Sequence, residues 1–181
     1  MKSALQTERL VLRVLEEADA DLALDYVTRN RAFLAPWEPA REPEYFTIES
    51  QTRVLRNEAE LIKTGSMIKL WIFKTEQPER AIGTVTLSNI VRGAFLSCHL
   101  GYKLDQSELR IGYMTEAVRE VVRYAFEELG LHRIEANIMP RNEASMNVVC
   151  KLGFYEEGLA YRYLKINGVW EDHIHMVLRN E

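Results

Sequence analysis

Leu104 to Leu129, LDQSELRIGYMTEAVREVVRYAFEEL, is the stretch on which the fold turns. A strand end runs into a short loop containing Gly112, and the loop opens directly into an amphipathic helix. Ala117, Val118, Val121, Val122, Ala125, Phe126 and Leu129 share a broad apolar face, while Arg119, Glu120, Arg123, Glu127 and Glu128 turn to solvent. Gly130 supplies the stop. A helix that opens this way leaves its first backbone N–H groups unpaired and aims the positive end of its dipole at one spot. Such a spot suits a phosphate.

Downstream, HRIEANIMP reads as a short buried strand, so strand, helix and strand form a crossover that leaves the two strands parallel and adjacent. Asn142 caps a further helix, NEASMNVVCKLG, with Ala144, Val148 and Leu152 expected to face inward and Gly153 to close it. Two last runs, LAYRYLKI and VWEDHIHMVL, are split by Asn167-Gly168, a strong hairpin signal.

Upstream, three strand-like runs, Met67 to Lys74, Ala81 to Ser88 and Phe95 to Leu104, are separated by turns around Pro78 and around Arg92 and Gly93, which favours an antiparallel meander. Thr47 caps TIESQTRVLRNEAELIKTG, whose Ile48, Val54, Leu55, Leu61 and Ile62 recur at near-helical spacing before Gly65. FLAPWEPAREPEYF, Phe33 to Phe46, holds three prolines and is a loop. Its Trp37 either plugs the loop onto the core or lines a substrate cleft. Arg9 to Leu15 alternates as a first strand, and EEADADLALDYVTRN follows as a helix with Leu22, Tyr26 and Val27 on one face. The predicted fold class is α/β, a mixed sheet with flanking helices in a single domain over residues 1–181, without repeats or low-complexity linkers.

At 181 residues, 47% hydrophobic and 28% charged, the chain can bury a sizeable core. No apolar run reaches the roughly 20 residues that span a bilayer, and MKSALQTERL lacks the apolar centre of a signal peptide, so no membrane partner and a cytoplasmic location are expected. Cys98 and Cys150 stand far apart without metal-ligand spacing, and no metal is expected; both read as buried or inert thiols. A net charge of −4 argues against direct nucleic-acid binding and fits a cationic substrate.

With the pieces in this order, the sequence resembles the GNAT superfamily of acetyltransferases, and within it the Rim-type ribosomal-protein alanine N-acetyltransferases. TERLVLR, FLAPWEP, GYMTEA, LHRIEANIMPRNEAS, KLGFYEEG and YLKINGVWEDH carry the resemblance over nearly the full length. It implies a mostly antiparallel twisted sheet with a splayed parallel pair, and acetyl-CoA as co-substrate. Leu109, Arg110, Ile111, Gly112, Tyr113, Met114 and Thr115 would hold its pyrophosphate. The strand carrying Tyr102 and Leu104 would diverge from the strand carrying Asn137, with the pantetheine arm between them. The family loop usually reads Gln/Arg-x-x-Gly-x-Gly/Ala; only Gly112 fits here, Leu109 lacks a polar side chain, and Met114 crowds a position normally small.

The resemblance also places Asn142 and Ser145 beside the pantetheine and sulfur, with Ser145 the candidate donor to the leaving thiolate; otherwise Asn142 is a plain N-cap and Ser145 bonds locally. Other branches use a glutamate and a tyrosine at positions that correspond to Asn137 and Val149, and neither residue can serve as acid or base. His99, Glu135, Asp172 and His173 are the remaining titratable groups. Trp37, Glu38, Tyr163 and Trp170, with Tyr161, are candidate walls of the acceptor site, Glu38 attracting a cationic amine by charge. An N-terminal α-amino group, pKa about 8 against about 10.4 for lysine, is partly uncharged near neutrality and needs only a modest base. The expected activity is acetylation of a protein N-terminus, with a small amine acceptor or a non-catalytic CoA-binding module as alternatives, in a monomer or homodimer.

Overall fold

In a computed structural model that describes residues 4–180, alternation along the strands decides which side of the sheet each residue meets. The strands are β1 (Ala4–Gln6), β2 (Leu10–Arg13), β3 (Ile68–Lys74), β4 (Gln77–Val91), β5 (Ser97–Leu104), β6 (Arg133–Ile138), β7 (Tyr155–Ile166) and β8 (Val169–Arg179). The helices are α1 (Ala20–Arg29), a single turn α2 (Arg31–Leu34), α3 (Ile48–Lys63), α4 (Tyr113–Glu127) and α5 (Glu143–Lys151). All eight strands form one sheet in the order β1-β2-β3-β4-β5-β6-β8-β7, and only β5 and β6 run parallel. The mixed sheet with one parallel pair agrees with the sequence reading.

Ile134, Ala136 and Ile138 of β6 join Ile82, Val85, Leu87, Cys98 and Leu100 in a core beneath Ala117, Val118 and Val121 of α4 and Val149 of α5. The other face of the sheet packs Trp71 and Phe73 against Ala23, Tyr26 and Val27 of α1 and Leu55 of α3. α4 and α5 therefore cover one face, and α1 and α3 cover part of the other. Asn167 and Gly168, with φ of 43° and 84°, make the hairpin between Ile166 and Val169 as their sequence demands.

Several sequence expectations shift. β1 precedes the first expected strand, pairing its Leu5 with Leu12. The turn expected at Pro78 lies at Thr75 and Glu76, and Pro78 sits inside β4 where the register with β3 is irregular; a residue without an N–H is tolerated there. α3 touches the core through Leu55, Ser50 and Gln51, while Leu61 is 42% exposed. In α5 Val148 and Leu152 pack against the core as expected, but the fully buried residue is Val149, and Ala144 is exposed. Cys98 is buried, with its thiol pushed up to about 12 by loss of solvation, whereas Cys150 is exposed.

β4 and β5 leave no room for a side chain at Gly83, where a Cβ would lie 2.6 Å from the Lys103 carbonyl oxygen and 3.1 Å from Leu104 Cδ1. Gly83→Ala is expected to destabilise the fold by about 1–3 kcal/mol, read by urea unfolding; a loss under about 0.5 kcal/mol, the range of an unremarkable surface change, would contradict this packing.

Candidate active site

β5 and β6 pair for only three residues: Ser97 opposite Arg133, Cys98 opposite Ile134, His99 opposite Glu135. Beyond that point β5 stays with β4 through Leu104, and β6 stays with β8 through Ile138. The two strands have parted, leaving backbone N–H and C=O groups on their facing edges without a ladder partner.

At the open end, Asp105 accepts from the Ser107 N–H and hydroxyl, both at 2.9 Å, and so shapes the turn after β5. The chain passes through Arg110 (φ 65°) and Gly112 (φ 93°) into α4. A Cβ on Gly112 would meet only Arg9 Nη2 at 3.5 Å, so conformation and not space calls for glycine. No side chain caps this helix end among the described residues, and the first helical N–H groups face outward. Leu109, Arg110 and Ile111 are exposed, and Tyr113 and Thr115 half-buried. Met114 corrects the sequence reading: its side chain is 7% exposed and lies in the core, so it does not crowd the loop. Leu104 is likewise a core residue.

Glu116 holds the loop in place. Its Oε1 accepts from Thr7 Oγ1 at 2.6 Å and from the Arg9 N–H at 3.0 Å, and its Oε2 accepts from Arg9 Nε at 2.7 Å. The same guanidinium donates to the Ile111 carbonyl at 3.3 Å and stacks on Tyr113 at 4.6 Å. Burial pushes the Glu116 carboxyl up, but these hydrogen bonds outweigh it and hold the group below its ordinary value. A cleft of about 350 Å³ lined by Arg9, Gly112, Thr115, Arg119 and Lys151 lies beside them.

Asn142 Oδ1 accepts the Ser145 N–H at 3.1 Å, a cap worth about 1 kcal/mol. Tyr102 reaches from β5 to donate to the Ser145 carbonyl at 2.7 Å, and burial raises its phenol well above the ordinary value. Tyr102, Asn142 and Ser145 are thus brought together at the start of α5.

Asn137 stands elsewhere. Alternation puts its side chain on the face away from α4 and α5, with Glu135, so only its backbone can border the gap on that side. Glu135 accepts from His175 Nδ1 and Arg133 Nη2, each at 2.8 Å, and lies 3.8 Å from His99 Nε2. Burial raises the Glu135 carboxyl, yet Arg133, His175 and Asn137 together hold it below its ordinary range. The Tyr163 ring lies 4.9 Å from that of His175. His173 is buried against the Glu171 carbonyl, and loss of solvation lowers its pKa. Asp172 accepts the Arg162 N–H and serves the β7 bulge.

The acetyltransferase (GNAT) domain profile matches residues 9–155. The chain belongs to the GNAT acetyltransferase family. It is 39% identical to the Escherichia coli [ribosomal protein uS5]-alanine N-acetyltransferase, over 96% of this chain and 89% of the relative. The crystal structure of a ribosomal-protein-S5-alanine acetyltransferase from Vibrio fischeri superposes with a TM-score of 0.93 at 38% identity, covering 99% of this chain and 98% of that one. Mycobacterium smegmatis RimJ, in complex with CoA-disulfide, gives 0.88 at 28% identity over 94% of this chain and 81% of that one. This GNAT protein is an N-acetyltransferase whose donor is acetyl-CoA.

The candidate walls of the acceptor site differ in their surroundings. Glu38 is not a free charge: Lys103 Nζ lies 2.6 Å from its Oε1, so the pair is neutralised. Trp170 is 58% exposed near the hairpin tip, and Tyr161 is 77% exposed. Trp37 is half-buried under the Arg141 guanidinium at 4.9 Å, and Arg141 also bonds the Pro36 carbonyl and Glu171. The proline-rich loop is thereby clipped to the turn before α5 and to β8. The sequence reading missed Arg9, Glu116, Arg119, Lys151 and His175; only the i, i+4 spacing of Thr115 and Arg119 signalled one of them.

Because the folded Glu116 carboxyl titrates below its unfolded value, its stabilisation is present above the ordinary carboxylate pKa and lost as pH falls through the folded one. Glu116→Gln is expected to lower the melting temperature at neutral pH, and the gap to the parent is expected to close in acid. A gap that stays constant from neutral pH to well below the carboxylate range would contradict this role.

Proposed function

We propose that this GNAT enzyme acetylates the N-terminal α-amino group of a protein, a ribosomal-protein alanine being the acceptor class. The observation that carries the reading is 39% identity to a uS5-alanine N-acetyltransferase over 96% of the chain, a span that includes the elements bordering the acceptor side. The chemistry fits. With Asn137 and Val149 at the positions where other GNAT branches carry an acid and a base, the enzyme suits an amine that is easily deprotonated, as an α-amino group is.

On the donor side, the N–H groups from Ile111 to Thr115 bind the pyrophosphate, with Arg110, Arg119 and Lys151 adding positive charge. The pantetheine arm lies between β5 and β6, where its amides pair with the free strand edges. Ser145, held by Asn142 and Tyr102, donates to the leaving thiolate. Acceptor proteins of this class are met in the cytoplasm.

An acceptor screen tests the reading. Peptides beginning with Ala are expected to release free CoA thiol at least ten times faster than polyamines, amino acids or aminoglycosides at equal concentration. Faster turnover of a small amine, with Ala peptides ignored, would overturn it.

A further inference from the structure

Where β5 and β6 part, the sheet face away from α4 and α5 holds an imidazole–carboxylate pair, His175 and Glu135, with one ring nitrogen to spare. Glu135 is a carboxylate at the last paired position, opposite His99. His175 spends Nδ1 on it at 2.8 Å, and Nε2 has no partner among the described residues. In a neutral ring whose Nδ1 donates to a carboxylate, Nε2 is the lone pair that can take a proton. Asn137 stands across the strands from His175, with its Oδ1 buried and closed to a ligand. An ammonium arriving at the ring supplies the donor that Nε2 lacks.

We propose that the acceptor amine docks against Nε2 of His175, and that this ring, oriented by Glu135, is the group that removes its proton. The inference rests on the amine acetylation stated above and holds for a protein N-terminus or a small amine alike. The ammonium gives one proton to Nε2 of His175. The freed nitrogen attacks the thioester carbonyl carbon, the C–N bond forms and the C–S bond breaks. The second nitrogen proton leaves with the CoA thiolate as thiol, and His175 returns its proton to water. One amide, one thiol and one proton result.

The groups facing His175 are Glu135, Arg133 and Asn137 on β6, His99 on β5, Tyr163 on β7 and His173 on its own strand, with Glu157 of β7 beyond Arg133. Arg133 is shared between Glu135 and Glu157, which it meets at 2.8 and 2.7 Å, and His173 is the buried neighbour already described. Asn137 and Tyr163 carry no charge near neutrality. His99 shares the Glu135 carboxylate at a longer distance, which makes it the control that a general loss of charge would also affect.

The test uses the whole protein and whichever amine the wild type acetylates. His175→Gln is expected to lower kcat/KM for the amine roughly 100-fold at pH 7, in the range of lost general-base catalysis. The defect is expected to shrink to under about tenfold about one pH unit above the pKa of the amine used, about pH 9 for an α-amino group of pKa about 8, because the amine then arrives uncharged. The acetyl-CoA dissociation constant should stay within twofold. Glu135→Gln, which keeps shape and volume, should show the same pH-dependent defect in milder form, and His99→Gln should not. A pH-independent loss, a parallel loss of acetyl-CoA binding or melting temperature, or wild-type turnover in His175→Gln would each overturn the proposal. A change of preferred acceptor in the screen bears on the proposed function and leaves this test intact.

Discussion

Two neighbouring parallel strands that stop pairing are the constraint on which the rest depends. The ladder between β5 and β6 ends at His99 and Glu135, though both strands continue for several residues. Each freed edge is a row of backbone donors and acceptors that must find partners. Neither strand can drift back, because β5 is held by β4 through Leu104 and β6 by β8 through Ile138. The gap is therefore built into the sheet and suits an extended chain bearing amides, as the pantetheine arm of acetyl-CoA does.

The ends of the gap are made by different means. At the open end, Gly112 turns the chain into α4 with its first N–H groups exposed, and Glu116 ties that turn to Thr7 and Arg9, more than a hundred residues away in sequence. At the closed end, charged and polar side chains gather on the face opposite the α4 and α5 core. Tyr102 and Asn142 fix Ser145 between these ends. On the proposed reading, phosphate binding, thioester placement and proton removal fall to three separate parts of one cleft.

What could be read from the sequence were features with local causes. The 3.6-residue pattern from Ala117 to Leu129, the Asn167-Gly168 turn, and the caps Thr47 and Asn142 all appear where their chemistry put them. The parallel pair followed from strand, helix and strand in succession. The misses were matters of direction or long-range pairing. Nothing local says that Met114 turns into the core, that α5 buries Val149 in place of Ala144, or that Lys103 neutralises Glu38 from 65 residues away. β1 is three residues long, too short to announce itself by alternation. His175 gains a meaning only when β8 lands beside β6, so that imidazole and Glu135 meet across 40 residues.

Backbone amide hydrogen exchange with and without acetyl-CoA tests the central claim most directly, because it reads the cleft itself. Slowed exchange is expected at Ile111 to Thr115 and along Leu100 to Leu104, with the β7–β8 hairpin tip unchanged. Protection absent from both segments at saturating acetyl-CoA, or found only elsewhere, would contradict the placement of the donor between β5 and β6.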